Sequence, residues 1–510
     1  MRLKSALGCA FLFLVFIFAD ARGVKAVVVP DFLVHPDGLE AIPHFNGGIV
    51  FDREGNFVSL WVDRGIDHDY RQIYFQRFDA FGKRMGGPVL VSDPGVQYNN
   101  SRDIAMSPSG DFVVCWVASV KIDGESIRDI WARGFNSSGE PTWPVQQVDV
   151  ERPGPGSDDS HPSIAMDKEG NFVVAWQTID SGGRNVYAQR FDSSGERIGK
   201  NFLVSDINAS NYELCEWFTQ FPDVAINSLG YFFICWQGCV TCRPASPSTP
   251  LARVYNPAGE PITDVFPFFA PCSSIWDYGY LVTVASNSQN NFVATFGTND
   301  TLSTYPNNAV AVQTFDTLGN AVDTVKIVND VIDLGSIWYA PKIAVDSSDG
   351  YIVLWSDWRT KTNCNLWAQR FNSLGEPQGE NYRINLPPGS LSTPDGAYEN
   401  WKEYALATHG NSVVLSWMDY RNWDLCNTDI YAKLLDLDKI GYYLPGDVIL
   451  DGNVDTADIV YLINHIFKGG YGCLPEWTGD VNADGEVGLV DVVYLINYLF
   501  KNGPEPQKGE

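Results

Sequence analysis

Histidine and basic side chains are scarce in this chain. Its 510 residues include 6 His, and 35 Lys and Arg stand against 62 Asp and Glu, which gives a formal net charge of −27 at pH 7. Because affinity for nucleic acid comes largely from Lys and Arg that release counterions from phosphates, we expect no nucleic-acid partner. So few His also leave little room for His-based metal or acid–base chemistry.

Long apolar segments are missing after the N-terminus. Residues 1–21 hold a basic start, an apolar stretch from Ala6 to Phe18 and the small-residue pattern Ala19-Asp20-Ala21, which together are typical of a signal peptide. No later segment approaches the ~20 apolar residues that a transmembrane helix needs. We therefore expect a secreted protein, extracellular or associated with the cell surface, without a transmembrane segment.

Familiar catalytic motifs are missing too. We find no Ser-His-Asp arrangement, no HExxH and no phosphate-binding glycine loop. An aromatic content of 13% and 46 Gly are, in contrast, typical of a folded chain with many turns. The protein is therefore expected to be folded, but no motif assigns it a reaction.

The middle of the chain is a sevenfold repeat. An apolar run that ends in an aromatic residue recurs about every 60 residues, as repeat proteins require; the ends are Trp61, Trp116, Trp176, Trp236, Phe296, Trp355 and Trp417. A second strand-like pattern follows each run, and in six repeats it closes on a D/N-x-x-G turn. We expect the seven aromatic residues to be buried between repeats.

Four short strands per repeat predict an all-β, seven-bladed β-propeller with four-stranded blades over residues 27–440. The last repeat lacks a fourth strand, whereas DFLVHPDG near the N-terminus is similar to the fourth-strand segments NFLVSDIN and PVLVSDPG. We predict that residues 31–35 supply the fourth strand of the seventh blade. This would join the two ends of the ring and leave no open edge.

The loops divide into two faces. The short D-x-x-G turns form one face, and long irregular loops open on the other, which is where a rigid scaffold usually carries function. These long loops hold six tryptophans that are candidates for stacking on sugar rings, with packing under the loops as the alternative: Trp217, Trp276, Trp338, Trp358, Trp401 and Trp423.

A W-x-D-(x)-R pattern ends the second strand of three repeats, at residues 61–64, 355–359 and 417–421. Asp and Arg near the central channel could form an acid–base pair or a carboxylate clamp. Repetition at equivalent positions favours the alternative, in which they are ion pairs that fasten adjacent blades.

The cysteines suggest both free thiols and disulfides. Cys115 and Cys235 lie inside apolar runs and are expected to be buried thiols. Cys364 and Cys426 occupy matching places in consecutive repeats, so we predict that they form a disulfide in the exported protein. Four further cysteines could form two more bridges, with Cys473 left over, or a zinc site at the CxxC of residues 239–242; they are Cys215, Cys239, Cys242 and Cys272.

The C-terminus carries two copies of an acidic twelve-residue loop of the EF-hand calcium type. The ligands of the second copy are Asp480, Asn482, Asp484, the Glu486 carbonyl and Asp491, with Gly485 at the sharp turn. The ligands of the first copy are Asp447, Asp451, the Asn453 carbonyl, Asp455 and Asp458, with Gly452 at the turn. Ile449 stands where the first loop needs a ligand, so we expect the 447–458 site to be the weaker of two calcium sites.

One amphipathic helix follows each loop, and the two helices share the pattern Y-L-I-N-x-x-F. Together with Asp at loop position 12, this arrangement resembles a type I dockerin over residues 445–505. The resemblance implies a calcium-dependent module that plugs into a cohesin-like partner on another secreted or surface protein. Loop positions 10 and 11, which choose the cohesin in that family, are Thr456-Ala457 and Leu489-Val490, and they differ between the copies.

Two functions follow from these features. Our leading hypothesis is a secreted, monomeric and non-catalytic propeller that binds a carbohydrate or protein on its loop-rich face and is attached through the dockerin-like tail. The alternative is a carbohydrate-active hydrolase or lyase of propeller fold in polysaccharide catabolism. Two non-repeated carboxylates facing one another across the channel would favour the enzyme.

Overall fold

A computed structural model describes the propeller and the tail, with gaps. The described residues are 29–35, 44–63, 71–92, 97–122, 125–151, 157–180, 183–206, 220–238, 249–267, 281–298, 309–330, 341–357, 364–385, 391, 404–421, 428–450, 452–468, 472–473 and 475–508. No helix among them is long and apolar enough to cross a membrane.

Seven antiparallel sheets of four strands fill residues 29–436, which confirms the predicted seven-bladed propeller. Blade 1 contains β2 (His44–Phe51), β3 (Phe57–Asp63), β4 (Gln72–Phe78) and β5 (Val89–Leu90); blade 2 contains β6 (Gln97–Met106), β7 (Phe112–Ile122), β8 (Glu125–Phe135) and β9 (Gln146–Gln147). Blade 3 contains β10 (Asp158–Met166), β11 (Phe172–Asp180), β12 (Gly183–Phe191) and β13 (Arg197–Leu203); blade 4 contains β14 (Gln220–Ile226), β15 (Phe232–Gly238), β16 (Thr249–Tyr255) and β17 (Phe266–Pro267).

The remaining blades follow the same plan. Blade 5 contains β18 (Val282–Ser286), β19 (Phe292–Thr298), β20 (Ala309–Phe315) and β21 (Lys326–Ile327); blade 6 contains β22 (Lys342–Val345), β23 (Tyr351–Asp357), β24 (Asn365–Phe371) and β25 (Pro377–Arg383). Blade 7 contains β26 (Tyr404–His409), β27 (Ser412–Asp419), β28 (Asp429–Asp436) and β1 (Val29–Leu33).

The N-terminal strand closes the ring, as the sequence predicts. Strand β1 pairs antiparallel with β28, so blade 7 combines both ends of the propeller sequence. The Arg421 guanidinium lies 3.0 Å from the Asp31 carboxylate and ties β1 to the end of β27. From blade 1, the Arg84 guanidinium donates to the carbonyls of Leu33 and His35. Residues from three elements therefore hold this short strand in place.

The second strand of each blade forms the core between neighbouring blades. These strands are apolar on both faces because they are covered on both sides. The aromatic residues at their ends are all buried, as predicted: Trp61, Trp116, Trp176, Trp236, Phe296, Trp355 and Trp417. The thiols of Cys115 and Cys235 are buried and free in the same strands, which confirms that part of the cysteine prediction.

Tight Asx-type turns connect the strands on one face. In the first of them, the Asp52 carboxylate accepts hydrogen bonds from the backbone N–H groups of Glu54 and Asn56, while Gly55 has φ +83°. A residue with a Cβ atom rarely adopts this backbone conformation, which is why glycine recurs there. The same turn geometry recurs in blade 3, where the Asp167 carboxylate accepts from the Glu169 and Asn171 N–H groups.

The tail forms a small helical pair. Helix α1 (Thr456–Lys468) and helix α2 (Leu489–Lys501) each follow one of the two acidic loops. Their apolar faces pack together around Leu462, Val481, Val492 and Leu495. Cys473 is a buried free thiol in this core, and burial raises its pKa to about 12.

Candidate functional site

The first strands of all seven blades surround a central channel. Strands β2, β6, β10, β14, β18, β22 and β26 neighbour one another in that order, and β26 returns to β2. They line a cavity of about 410 Å³, which is within the range of small-ligand sites. The channel is thus a concave place to which each blade contributes.

One register position of the inner strands carries the chemistry of the channel. In every blade, the aromatic residue near the end of the second strand is preceded by one residue that pairs with the inner strand. Its partner on the inner strand occupies this register position. From blade 1 to blade 7 these residues are Gly48, Asp103, Ser163, Asp223, Thr283, Lys342 and Ala405. Two carboxylates and one ammonium group therefore break the symmetry of the repeat at a single level of the channel.

Hydrogen bonds hold the two carboxylates in fixed positions. Asp103 accepts from its neighbour Ile104 N–H at 2.9 Å and from Ile164 N–H of blade 3 at 3.0 Å. Asp223 accepts from the Ser163 hydroxyl of blade 3 at 2.8 Å and from Val284 N–H of blade 5 at 2.8 Å. Both side chains therefore also join adjacent blades, and each oxygen keeps a lone pair for a further interaction.

The channel shifts the acidity of these groups. Burial, with a smaller contribution from the Asp223 charge, raises the pKa of Asp103 to about 6. Burial also raises the pKa of Asp223. The Lys342 charge acts on both residues in the opposite direction. The three side chains thus form one electrostatically coupled group.

Two glycines of blade 1 pack closely against blade 2 next to Asp103. A Cβ atom on Gly47 would lie 2.9 Å from Arg102 Nε, and one on Gly48 would lie 2.9 Å from the Ile104 side chain. These glycines therefore let blade 1 lie close to the strand that carries Asp103. Ala405 stands at the equivalent position of blade 7.

Bulges distort the inner strands where they line this cavity. His161 and Phe221 occupy equivalent places in blades 3 and 4, and both have positive φ, 53° and 54°. Each precedes a proline, and the pairing register shifts around each of them. Their rings make an edge-to-face contact with centroids 4.5 Å apart. Such backbone outliers concentrate at functional sites.

The structure leaves the aromatic-loop prediction open. The six candidate sugar-stacking residues lie outside the described residues: Trp217, Trp276, Trp338, Trp358, Trp401 and Trp423. Cys364 is buried directly before β24. Its predicted partner Cys426 lies outside the described residues. The disulfide and the stacking residues stay predictions.

The W-x-D-(x)-R pattern has a structural role in blade 7. Asp419 is fully buried and accepts from the Trp417 indole at 2.7 Å and from Arg421 at 2.8 Å. In blade 6, the Trp355 indole donates to Asp357 at 3.0 Å. Ion pairs do form in blade 7, but Arg421–Asp31 joins two strands of one blade. The expectation that these residues fasten adjacent blades is therefore wrong for blade 7.

The two tail loops have matching backbone and side-chain geometry. The carboxylate at position 1 accepts from the position 6 N–H in both, as Asp447 from Gly452 and Asp480 from Gly485. The carboxylate at position 12 accepts from the N–H groups of positions 2 and 9 in both; the residues are Asp458 with Val448 and Asp455, and Asp491 with Val481 and Gly488.

These loops offer oxygen donors alone, which is the chemistry that calcium selects. Asn482, Asp484 and Glu486 lie on the second loop between Asp480 and Asp491, and Asn453 and Asp455 lie on the first; Asp451 is outside the described residues. As they stand, no three His, Cys, Asp or Glu side chains of the described chain converge as a metal cluster. The donor set therefore has the chemistry that calcium requires, and the carboxylates at positions 1 and 12 accept hydrogen bonds from N–H groups of their own loops.

Sequence reasoning missed the channel residues. Asp103, Asp223 and Lys342 occupy the variable position just before an apolar pair shared by the repeats, in RDIAM, PDVAI and PKIAV. An alignment of the seven inner-strand segments on this apolar pair shows the signal. Asp103, Asp223 and Lys342 are the three charged residues at a position where the other blades have Gly, Ser, Thr or Ala.

Comparisons with known proteins reach only distant similarities. No family model matches the sequence, and no curated protein does. Among solved structures, a Penicillium chrysogenum alpha-L-arabinanase is 11% identical with a TM-score of 0.41, covering 81% of this chain and 99% of its own.

Two polysaccharide lyases are similar to about the same degree. An ulvan lyase of family PL25 is 7% identical with a TM-score of 0.46 and covers 78% of this chain and 96% of its own. Polysaccharide lyase Uly1 is 10% identical with a TM-score of 0.46 and covers 82% and 94%. At this distance, no activity, substrate or catalytic residue carries over to this chain.

Proposed function

We propose that the protein is a secreted carbohydrate-active enzyme whose active site is the central channel. The observation that carries the proposal is the pair of non-repeated carboxylates, Asp103 and Asp223, held at one level of the channel beside Lys342. Paired carboxylates in different environments are the usual apparatus of glycosidic bond hydrolysis. A catalytic role for the channel replaces our leading expectation of a non-catalytic propeller.

The two carboxylates take different roles. Asp103, whose pKa is raised to about 6, is the general acid that protonates the leaving glycosidic oxygen. For Asp223, the Lys342 charge is the largest of the interactions that lower its pKa, whereas the Asp223 charge raises the pKa of Asp103. Asp223 is therefore the carboxylate that activates water or stabilises the oxocarbenium-like transition state. The Lys342 charge lowers the pKa of both carboxyl groups.

Activity on a panel of polysaccharides tests this assignment. We expect reducing-sugar release by the mature protein, and a loss of about 100-fold or more in Asp103→Asn and in Asp223→Asn, the size typical of a lost acid or base. Asp167→Asn is the matched control, because Asp167 accepts from Glu169 and Asn171 N–H groups in a tight turn away from the channel. Equal melting temperatures must accompany the loss.

The pH profile separates catalysis from a structural role of the same carboxylates. A general acid must be protonated, so activity should fall as pH rises through about 6, where burial places the pKa of Asp103. Lys342→Met removes a charge that lowers this pKa, so the alkaline limb should move to higher pH. An unsaturated product would assign a lyase, and binding without any product would restore the non-catalytic hypothesis.

We further propose that the tail is a dockerin-like module that binds calcium and attaches the enzyme to a cohesin-like partner. Helix α2 supports this, since it exposes several apolar side chains that nothing in the described chain covers: Leu489, Val490, Val493 and Phe500. Exposed apolar clusters of this kind mark interaction surfaces. Capture of a secreted partner that persists after calcium chelation would contradict the proposal.

A further inference from the structure

The first tail loop is inserted into the propeller. Leu450, at loop position 4, is fully buried in the core cluster that contains Ile352, Leu366 and Leu435 of blades 6 and 7. Its carbonyl accepts hydrogen bonds from the Tyr382 hydroxyl at 2.8 Å and from Lys433 Nζ at 3.1 Å. One residue thus contributes both apolar packing and two buried hydrogen bonds to the propeller.

Lys433 explains why blade 7 needs this contact. Register places it where blades 1 and 6 have Gln76 and Gln369. Those glutamines donate to carbonyls in or just before the fourth strand of their own blade, Gly86 O at 3.2 Å and Gln378 O at 3.2 Å. Blade 7 has no hairpin between its third and fourth strands, because its fourth strand comes from the N-terminus.

The segment before the loop packs against the outer strand of blade 6. Glu380 N–H donates to the Gly441 carbonyl at 2.9 Å. The Tyr443 ring stacks on Tyr382 with centroids 5.0 Å apart, and its hydroxyl donates to Asn381 O at 3.0 Å. A Cβ atom on Gly379 would lie 2.3 Å from the Gly441 carbonyl oxygen. Contact therefore continues from residue 441 to residue 450.

The two loops differ at the positions that make this contact. Positions 3 and 4 are Ile449-Leu450 in the first loop and Asn482-Ala483 in the second. Ile449 packs against the tail helices and Leu450 against the propeller, whereas Ala483 is exposed although it has nearly the same φ, 57° against 51°. The first loop therefore lacks a side-chain oxygen at position 3, and the adjacent position 4 carries the apolar contact with the propeller.

We propose that the first tail loop completes blade 7 in place of the missing hairpin and fixes the tail in one orientation on the propeller. The tail is then a structural part of the ring and not a module on a free tether. A partner bound to the exposed face of α2 would be held at a set distance and angle from the channel. Neither catalysis in the channel nor the identity of the partner enters this inference.

The mature full-length protein with Leu450→Ala tests it, since this change makes position 4 of the first loop like that of the second. We expect the melting temperature of the propeller to fall by about 4 °C or more, given the usual effect of losing a buried leucine in a large domain. Hydrogen exchange at Glu380 N–H should accelerate by roughly tenfold as local opening becomes easier. Trypsin should also cleave faster after Lys439.

Two further variants complete the design. Ala483→Gly is the matched control, because it changes the equivalent residue of the second loop at an exposed site, and it should leave melting and exchange at Glu380 unchanged. Tyr382→Phe removes the hydroxyl that donates to the Leu450 carbonyl and is the milder variant to use if Leu450→Ala does not fold. We expect it to accelerate hydrogen exchange at Glu380 N–H by about threefold. If the first-loop variants and the control behave alike, the tail is a tethered module and the inference is wrong.

Discussion

A pair of buried aspartates between blades 2 and 3 shows how one side chain sets the response of this protein to pH. Asp149 and Asp159 are each 1% exposed, and their carboxyl groups are within hydrogen-bonding reach of one another. In blade 7, the places equivalent to Asp149 and its neighbour Asp129 hold His35 and Asp429, whose Nε2 and Oδ1 atoms lie 3.2 Å apart. At these two positions blade 2 therefore has two carboxyl groups, Asp149 and Asp129, where blade 7 has an imidazole and a carboxyl group.

Burial, followed by the hydrogen bond and the charge of Asp149, raises the pKa of Asp159 to about 9. The folded protein therefore keeps a proton that the unfolded chain releases near its ordinary value of 3.8. Because the folded state binds this additional proton across the window, the contribution of Asp159 to the free energy of unfolding decreases as pH rises from about 4 to about 9.

Asp159→Asn should remove that dependence, because an amide keeps a hydrogen bond to Asp149 without a titrating proton. We expect the variant to be more stable than the parent at pH 8, with a parent slope of up to about 1.4 kcal/mol per pH unit. Melting curves from pH 5 to pH 9 measure it, with Asp158→Asn, the neighbour that binds Arg128, as control. The prediction would be wrong if the unmutated protein became more stable as pH rises, or if a chelator lowered its melting temperature. Either result would indicate that Asp149 and Asp159 are both ionised and hold a cation.

At the scale of elements, the two tail loops divide two tasks between them. The second loop has side-chain oxygens at positions 1, 3, 5 and 12, from Asp480, Asn482, Asp484 and Asp491. The first lacks the position 3 oxygen, and its Leu450 is buried in the propeller. We infer that the second loop contributes most calcium affinity and the first most of the attachment.

Calcium titrations of the full-length protein distinguish these tasks. The second site should be the tighter one, because it keeps a direct oxygen at position 3 and lacks only the position 9 side chain, where water commonly serves. Asp480→Ala with Asp491→Ala should therefore remove the tighter site and lower the melting temperature of the tail. Asp447→Ala with Asp458→Ala should cost less affinity, yet it should lower the melting temperature of the propeller more. Equal affinity losses in the two double variants would contradict the ranking.

How much the sequence predicts depends on the kind of element. Blade strands and ring closure can be predicted from short patterns. Apolar runs of the FVV type indicate the second strands, and the similarity of the DFLV segment to other fourth strands indicates where β1 pairs. The channel site does not, because Asp103 and Lys342 differ from their repeat equivalents by single residues, and their proximity is created by a ring of distant strands. Leu450 was missed for another reason: a calcium-loop pattern reads ligand positions, and position 4 is not one.

At the scale of the whole molecule, closure decides whether seven blades act as one body. Each blade shares its core with the next, so an open ring would expose the apolar second strand of one blade and an unpaired edge. Strand β1 prevents this with few residues, through pairing with β28, the Arg421–Asp31 ion pair and the Arg84 hydrogen bonds. The channel carboxylates, which bind N–H groups of neighbouring blades, depend on the same closure.

Deleting residues 22–36 should therefore destabilise the entire propeller and not only blade 7. We expect a fall in melting temperature of roughly 10 °C or more, since the deletion removes a strand and the buried side chain of Val34 together. Deletion of residues 22–28 is the control, because it stops before β1. Arg421→Gln should give an intermediate loss, because it removes the ion pairs with Asp31 and Asp419 and leaves the strand in place. Scanning calorimetry on the four proteins measures the order. If the chain lacking residues 22–36 melted like the parent, β1 would be an accessory strand and the ring would be closed by the contacts between blades 7 and 1.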